Sequence, residues 1–268
     1  MEELEASEFG CVRVLFERID CLRAAVFTVL EGRQAGRVYV DRREGPTVAL
    51  VRSDFCYLGG DASDAAFNAA LLDLLRVEVM PHTEHVLLYS FAEAWRDALD
   101  GLLAAYEVRR VVRTVYRLDP DAFTARHADW RARLPEGYAV ARLDAATAAQ
   151  VGGIPELWGS IDHFLAEGFG FCVTRNGAKV SSAQTVFVGG GHAETGVGTE
   201  EPYRRQGYAV LAASAYLEHC LEVGITPEWG CYYNVASGSL AQKMGFLEPR
   251  DVEVTYVHVP EAQDRGGA

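Results

Sequence analysis

Residues 61–79 set the clearest pattern in the first half of the chain, where Ala66, Ala70, Leu71, Leu74 and Leu75 recur near one face at helical spacing. That period predicts a helix, with Asp61 or Ser63 as its cap. Ahead of it, residues 11–17, 24–30, 47–52 and 55–58 are short runs with the β-branched and aromatic content of strands. Behind it the pattern predicts a strand at 85–89, a helix at 92–104 and a long strand at 108–118. Residues 119–137 place Pro120 and Pro135 around a polar stretch with Arg126, His127, Asp129, Arg131 and Arg133, expected as a linker enclosing a short helix.

The second half opens with a strand at 138–143 and a helix capped by Asp144 and running to Gln150. A segment rich in glycine and aromatics spans 152–171. Strands at 169–174 and 180–188 are predicted as a hairpin turning at Asn176-Gly177. A strand at 193–199, a helix at 207–223, a strand at 227–233, a short helix at 237–244 and a strand at 252–259 follow, and the tail 261–268 is expected to fray. The order helix, strand, helix, strand at 61–118 thus recurs at 207–259. Asp64 and Tyr208, His85 and Trp229, and Gly101 and Gly245 are each 144 positions apart. Residue identity between the halves is almost absent. Either 1–118 is a degenerate copy of 138–260, or the lengths of the elements coincide.

Composition narrows the class. The 268 residues are 49% hydrophobic and 24% charged, which is ordinary for a globular chain of one or two domains. No apolar run approaches the ~20 residues that cross a bilayer. Met1-Glu2-Glu3-Leu4-Glu5 is acidic where a signal peptide is basic, so a cytoplasmic location is expected. The net charge of −13 opposes nucleic-acid binding and is compatible with a cationic substrate. Six scattered cysteines without close pairs read as reduced thiols, and no metal site is expected from them.

Chemistry concentrates at Glu201-Pro202-Tyr203-Arg204-Arg205-Gln206-Gly207-Tyr208-Ala209. A predicted strand runs into a basic, glycine-containing turn that opens a helix. Such a turn aims backbone N–H groups and the positive end of the helix dipole at one point, which suits an anion. Downstream stand Asn234, Ser237, Leu240, Lys243, Gly245 and Phe246.

The turn, written R-x-x-G-x-A, resembles the Q/R-x-x-G-x-G/A pyrophosphate loop of GNAT acetyltransferases. The stretch 234–246 resembles that family's N-x-x-S/A-x-x-L-Y-x-K-x-G-F. Trp158, Ser160, Phe164, residues 168–172, Glu194, Pro227, Trp229, Cys231 and residues 239–241 narrow the likeness to the subfamily of the zwittermicin A resistance acetyltransferase, over about 138–250. The resemblance implies a mixed α/β (α+β) fold: a C-terminal GNAT domain whose central sheet is flanked by helices, preceded by a smaller α/β domain. It also implies acetyl-CoA as cosubstrate, a small-molecule amine as acceptor and, since the fold is commonly dimeric, a homodimer as an expectation.

Residue by residue, the resemblance implies that acetyl-CoA is held by Val197, Gly198, Thr199, Arg204, Arg205, Gln206, Gly207, Tyr208, Ala209, Asn234 and Ser237. Backbone N–H groups at 197–199 would polarise the carbonyl, with a bulge at Gly196 and Gly198. Asn234 either meets the pantetheine arm or caps its own helix. Glu194 is the candidate base, with His192 second, and each has an ordinary structural role as its alternative. Where the family commonly carries a tyrosine acid, this chain has Ala241. Tyr232, Tyr233 or Ser239 could substitute, with Tyr232 carried as the catalytic candidate, or solvent could serve. Loss of that tyrosine leaves a non-catalytic acyl-CoA-binding protein as the rival expectation. The acidic residues 60–65, where a repeat of 144 would put a second phosphate turn, predict no second acetyl-CoA site.

Overall fold

The apolar runs resolve into twelve strands and ten α-helices among the described residues, which are 1–232 and 234–259 of the computed structural model. From the N-terminus come β1 (Glu2–Glu3), α1 (Arg13–Phe16), α2 (Arg23–Leu30), β2 (Arg37–Val40), β3 (Val48–Arg52) and β4 (Cys56–Gly60). The first half closes with α3 (Ala65–Leu74), β5 (His85–Ser90), α4 (Ala94–Leu102) and β6 (Val108–Leu118). Next are α5 (Pro120–His127), β7 (Tyr138–Arg142), α6 (Ala145–Ala148), α7 (Ile154–Trp158), α8 (Ile161–Glu167), β8 (Gly170–Arg175) and β9 (Ala178–Gly189). The chain continues with β10 (His192–Thr199), α9 (Tyr208–Glu222), β11 (Thr226–Tyr232), α10 (Val235–Lys243) and β12 (Phe246–His258). The expected fraying of 261–268 lies outside the described residues.

All twelve strands join one mixed sheet in the order β1-β2-β3-β4-β5-β12-β6-β11-β10-β9-β8-β7. The two halves repeat a motif. β4 and β5 run parallel with α3 between them, and β10 and β11 run parallel with α9 between them. The halves also interleave, because β6 lies between β12 and β11, and β12 lies between β5 and β6. Alternation along β6 sorts the faces: Val111, Arg113 and Val115 point one way, Val108 and Leu118 the other. α3 and α4 cover the second face in the first half and α9 covers it in the second, whereas α1 and α2 cover the first face across both halves.

The predicted elements differ from the observed ones in places with identifiable causes. Residues 24–30, expected as a strand, form α2, and 11–17 form a 3-10 turn running into α1. Every residue of α2 from Ala24 to Leu30 is buried, so no polar face marks the helical period, and the Val, Phe and Thr content imitates a strand. The strand β2 went unpredicted, and β12 begins six residues ahead of the expected 252. Asp64, not Asp61 or Ser63, caps α3, accepting from Phe67 N at 2.8 Å. The stretch expected as a linker contains α5 and a 3-10 turn, and it buries Phe123 and Trp130 against α9's core. Asn176 and Gly177 turn the β8–β9 hairpin with φ of 51° and 78°. All six cysteines are free. No helix among the described residues is long and apolar enough to cross a membrane.

The docking of α2 ties the halves together at backbone distance. A Cβ added at Gly189 on β9 would lie 2.3 Å from Thr28 N and 2.4 Å from the Phe27 carbonyl carbon. Backbone cannot swing aside as a side chain does, so Gly189→Ala is expected to destabilise the fold by about 1–3 kcal/mol. Urea unfolding measures this; an unchanged midpoint would show that α2 does not need this contact.

Candidate active site

The parallel pairing of β10 with β11 lasts only from His192 opposite Thr226 to Glu194 opposite Glu228. Beyond it the strands part, leaving 195–199 of β10 open along one edge. The ladder with β9 is interrupted between Ala193 and Thr195. The bulge therefore sits at Glu194 and not, as expected, at Gly196 and Gly198. Glu200 N–H bonds Val180 O at 2.9 Å, so alternation turns the N–H groups of Gly198 and Gly196 towards β9 and those of Val197 and Thr199 towards the opening.

Below this edge the chain passes through the basic turn into α9. Arg204 Nε donates to Thr199 O at 3.2 Å, and Gln206 Nε2 to Pro202 O at 2.9 Å. Arg205 and Gly207 take left-handed φ of 60° and 90°, and Gly207 is the residue from which α9 springs. No side chain caps that end. The N–H groups of Val210 and Leu211 turn back to Gly207 O, which leaves the amides of Tyr208 and Ala209 as the first-turn donors. Residues 204–207 are exposed, while Tyr208 is buried and stacks on Tyr138 at 4.8 Å. The matching end of α3 differs. It is capped by Asp64, and Asp61 accepts from Ser63 N at 2.9 Å and Ser63 Oγ at 2.7 Å. Its leading strand β4 runs on for only Gly59 and Gly60 beyond its last pair with β5.

Glu194 is buried and ion-paired with Arg113 of β6, the two side chains being 7% and 5% exposed. Arg113 Nη1 also donates to Tyr89 Oη at 3.0 Å, and the Tyr89 and Tyr232 hydroxyls bond each other. Tyr57 stacks on Tyr89 with centroids 5.1 Å apart. Glu194 Oε2 has no hydrogen-bond partner among the described residues. Burial pushes the Glu194 carboxyl above the usual carboxylate range, and Arg113 opposes the rise. Burial, together with Tyr89, holds the Tyr232 phenol well above its ordinary value, against the pull of Arg113.

The expected site residues fall into three groups. Glu194 and Tyr232 lie in one network; Val197–Tyr208 line the strand edge and turn; Asn234 and Ser237 are on α10. There Asn234 Oδ1 caps the helix by accepting from Ser237 N at 3.1 Å, and Ser237 Oγ accepts from Trp229 Nε1 at 3.0 Å. Ala241 is fully buried in the core. Tyr233 lies outside the described residues. His192 Nδ1 stands 3.1 Å from Glu228 Oε1. Arg113 and Glu228 were missed by sequence reasoning. Arg113 carries only a weak signal, because it stands between Val111 and Val115 on a strand face that also carries Arg109 and Arg117.

Comparisons with known proteins bear on the family and the fold. The profile of the family described as GNAT acetyltransferase matches residues 15–254. An uncharacterized N-acetyltransferase of Bacillus subtilis (strain 168), YdfB, is 26% identical over 264 residues, covering 96% of this chain and 98% of that protein. A GCN5-related N-acetyltransferase-like protein from Streptococcus suis superposes with a TM-score of 0.66 at 23% identity, over 94% of this chain and 99% of the other. A tandem GNAT protein from the clavulanic acid biosynthesis pathway gives a TM-score of 0.65 at 16% identity, over 97% and 98%.

The Arg113–Glu194 pair makes a stability prediction. Arg113→Met strands a buried carboxylate and is expected to cost about 3–5 kcal/mol. The double variant Arg113→Met with Glu194→Met should recover much of that loss. Urea unfolding of the three proteins checks it, and equal losses in single and double variants would rule the pair out as the cause.

Proposed function

The chain belongs to the GNAT acetyltransferase family, and from that premise we propose that it moves an acetyl group from acetyl-CoA to a primary amine of a small molecule, by direct attack in a ternary complex. The observation that carries this reading is the uncapped N-terminus of α9, flanked by exposed Arg204 and Arg205 at the foot of an open strand edge. Tyr208 and Ala209 amides, with Arg204, Arg205, Gln206 and Gly207 around them, fit a pyrophosphate. Val197, Gly198 and Thr199 fit the pantetheine arm, and Asn234 and Ser237 border it from α10. Acetyl-CoA supplies the thioester; the chain supplies placement and proton handling.

An alkylammonium has a pKa near ~10.4, so its proton must be removed before the nitrogen can attack. Glu194 Oε2, unpartnered and raised by burial, is the acceptor in this reading. The amides of Val197 and Thr199 face the cleft and serve as fixed donors to the carbonyl oxygen. Tyr232, its phenol raised well above the ordinary value, is a weak acid here. We assign it with Tyr89 to holding Arg113, and the thiolate, with a pKa near ~8.5, takes its proton from solvent. The first half, with α3 capped by Asp64, serves as a second copy without a phosphate site. The likeness to the zwittermicin A resistance subfamily makes an antibiotic amine one member of the acceptor class.

Calorimetric titration with acetyl-CoA is expected to show one site per chain. Arg204→Glu and Gly207→Asp should each weaken it by at least about tenfold, a loss of about 1.4 kcal/mol. Two sites, or binding indifferent to both changes, would overturn the assignment. Binding without amine-dependent thiol release would leave an acyl-CoA-binding protein. The pH profile is a separate test. Glu194 must be ionised to accept a proton, and its pKa is raised, so kcat/KM should fall on acidification at a higher pH than an exposed glutamate would give. Glu194→Gln should lower kcat/KM and remove that limb; a limb unchanged in this variant would exclude Glu194 as the base.

A further inference from the structure

A cavity of about 620 Å³ opens on the face of the sheet covered by α2, where the two halves meet. Its wall includes the loop 20–22 ahead of α2, the ends of β10, β11 and β6, and the bulge of β12 at 248–250. Glu194 reaches it, and Glu194 Oε2 is the buried oxygen that has no partner. Glu194 on β10 is in register with Glu228 on β11, and Glu228 with Arg117 on β6. Three charged side chains therefore stand in one row across the sheet, with strands about 4.8 Å apart.

Their engagements differ. The Glu228 carboxylate is consumed as the cap of α2, accepting from Arg23 N at 2.9 Å and Ala24 N at 3.1 Å. Arg250 is bound to Asp20 across the rim. Arg117 forms no ion pair among the described residues and is exposed at the mouth, as is Glu248. Glu194, whose Oε2 has no partner, thus forms part of the cavity wall, and the Arg117 guanidinium stands unpaired one strand beyond Glu228. Glu248 adds an exposed carboxylate at the rim.

Resting on the acetyl-transfer reading above, we propose that this cavity is the acceptor subsite and that it selects a zwitterionic amine, with the ammonium at Glu194 and a carboxylate or other anionic group at Arg117. The guanidinium fork pairs with a planar carboxylate through two parallel hydrogen bonds, whereas Glu248 would repel that end of the ligand. The Glu194-to-Arg117 spacing of two strands, about 10 Å between backbones, leaves room for a compact ligand between the inward-reaching side chains.

The test is steady-state thiol release from acetyl-CoA with glycine, 3-aminopropanoate, 4-aminobutanoate, 5-aminopentanoate and L-lysine, each beside its carboxamide, and with the carboxyl-free diamine 1,4-diaminobutane. The parent is expected to prefer at least one carboxylate over its amide by about tenfold or more in kcat/KM, the discrimination of one charge-assisted hydrogen bond. Arg117→Gln should erase that preference through KM, and Arg117→Lys should keep part of it. Acetyl-CoA titration of the same proteins separates the two readings. A parent that fails to bind acetyl-CoA defeats the function proposed above. A parent that binds it but acetylates amides or 1,4-diaminobutane as well as carboxylates, or turns over no member of the set, overturns the zwitterion assignment. So does a KM that responds to Glu248→Gln and ignores Arg117→Gln.

Discussion

A glutamate and an arginine buried side by side, on strands from opposite halves of the chain, set the terms for everything around them. Taking two charges out of water costs several kcal/mol per ion after relaxation. Arg113 and Glu194 offset that cost only while β6 lies within reach of β10, across the single strand β11. The interleaving of β6 and β12 is what brings them that close. Room for the guanidinium comes from Gly230 on β11, where an added Cβ would lie 2.7 Å from Arg113 Nε. Arg113 Nη1 donates to Tyr89, whose hydroxyl bonds that of Tyr232, while Arg113 Nε has no partner among the described residues. Glu194 Oε2 is left over, and a buried oxygen without a partner is where a proton or an ammonium is most strongly favoured.

The same unit occurs twice, with opposite outcomes at the helix that follows its parallel strand pair. An N-terminal cap is worth about 1 kcal/mol to a helix, and Asp64 contributes it to α3. α9 forgoes that stabilisation: Gly207 stands where the cap would be, and the dipole's positive end stays open to solvent. A favourable negative charge near such an end contributes about 0.3–1 kcal/mol, so the difference between the two halves is modest in stability and decisive for an anion. Strand pairing reinforces it. β4 runs on for two residues beyond its last pair with β5, whereas β10 runs on for five beyond its last pair with β11.

Much of this was readable in advance where one residue type dominates a local conformation. β6 has the expected bounds 108–118, Asn176-Gly177 turns the hairpin, and α9 starts one residue after Gly207. The carboxylates at 60–65 cap and brace the start of α3. What could not be read depends on partners far along the chain. α2 has no polar face because both halves bury it, so its period is silent. Its N-terminal amides are satisfied by Glu228, more than two hundred positions away. Glu194 was visible as a candidate base, but Arg113 was one of four arginines in β6, and the pairing of the two is a consequence of strand exchange. Nothing local to either residue encodes that.

Why the first half is kept, given its capped helix, follows from what it lends to the second. It contributes β6, and with it both Arg113 against the candidate base and Arg117 at the cavity mouth. It contributes α2, whose backbone lies against Gly189 and whose end fixes the Glu228 carboxylate beside His192. Gln34, just after α2, donates to both Leu157 O at 3.1 Å and Val186 O at 3.0 Å, stitching the loop between α2 and β2 onto the second half. Removing the first half would therefore take away the counter-charge of Glu194 and one wall of the cavity together. The first half is indispensable to the second in this way, because its strand β6 is built into the second half's part of the sheet.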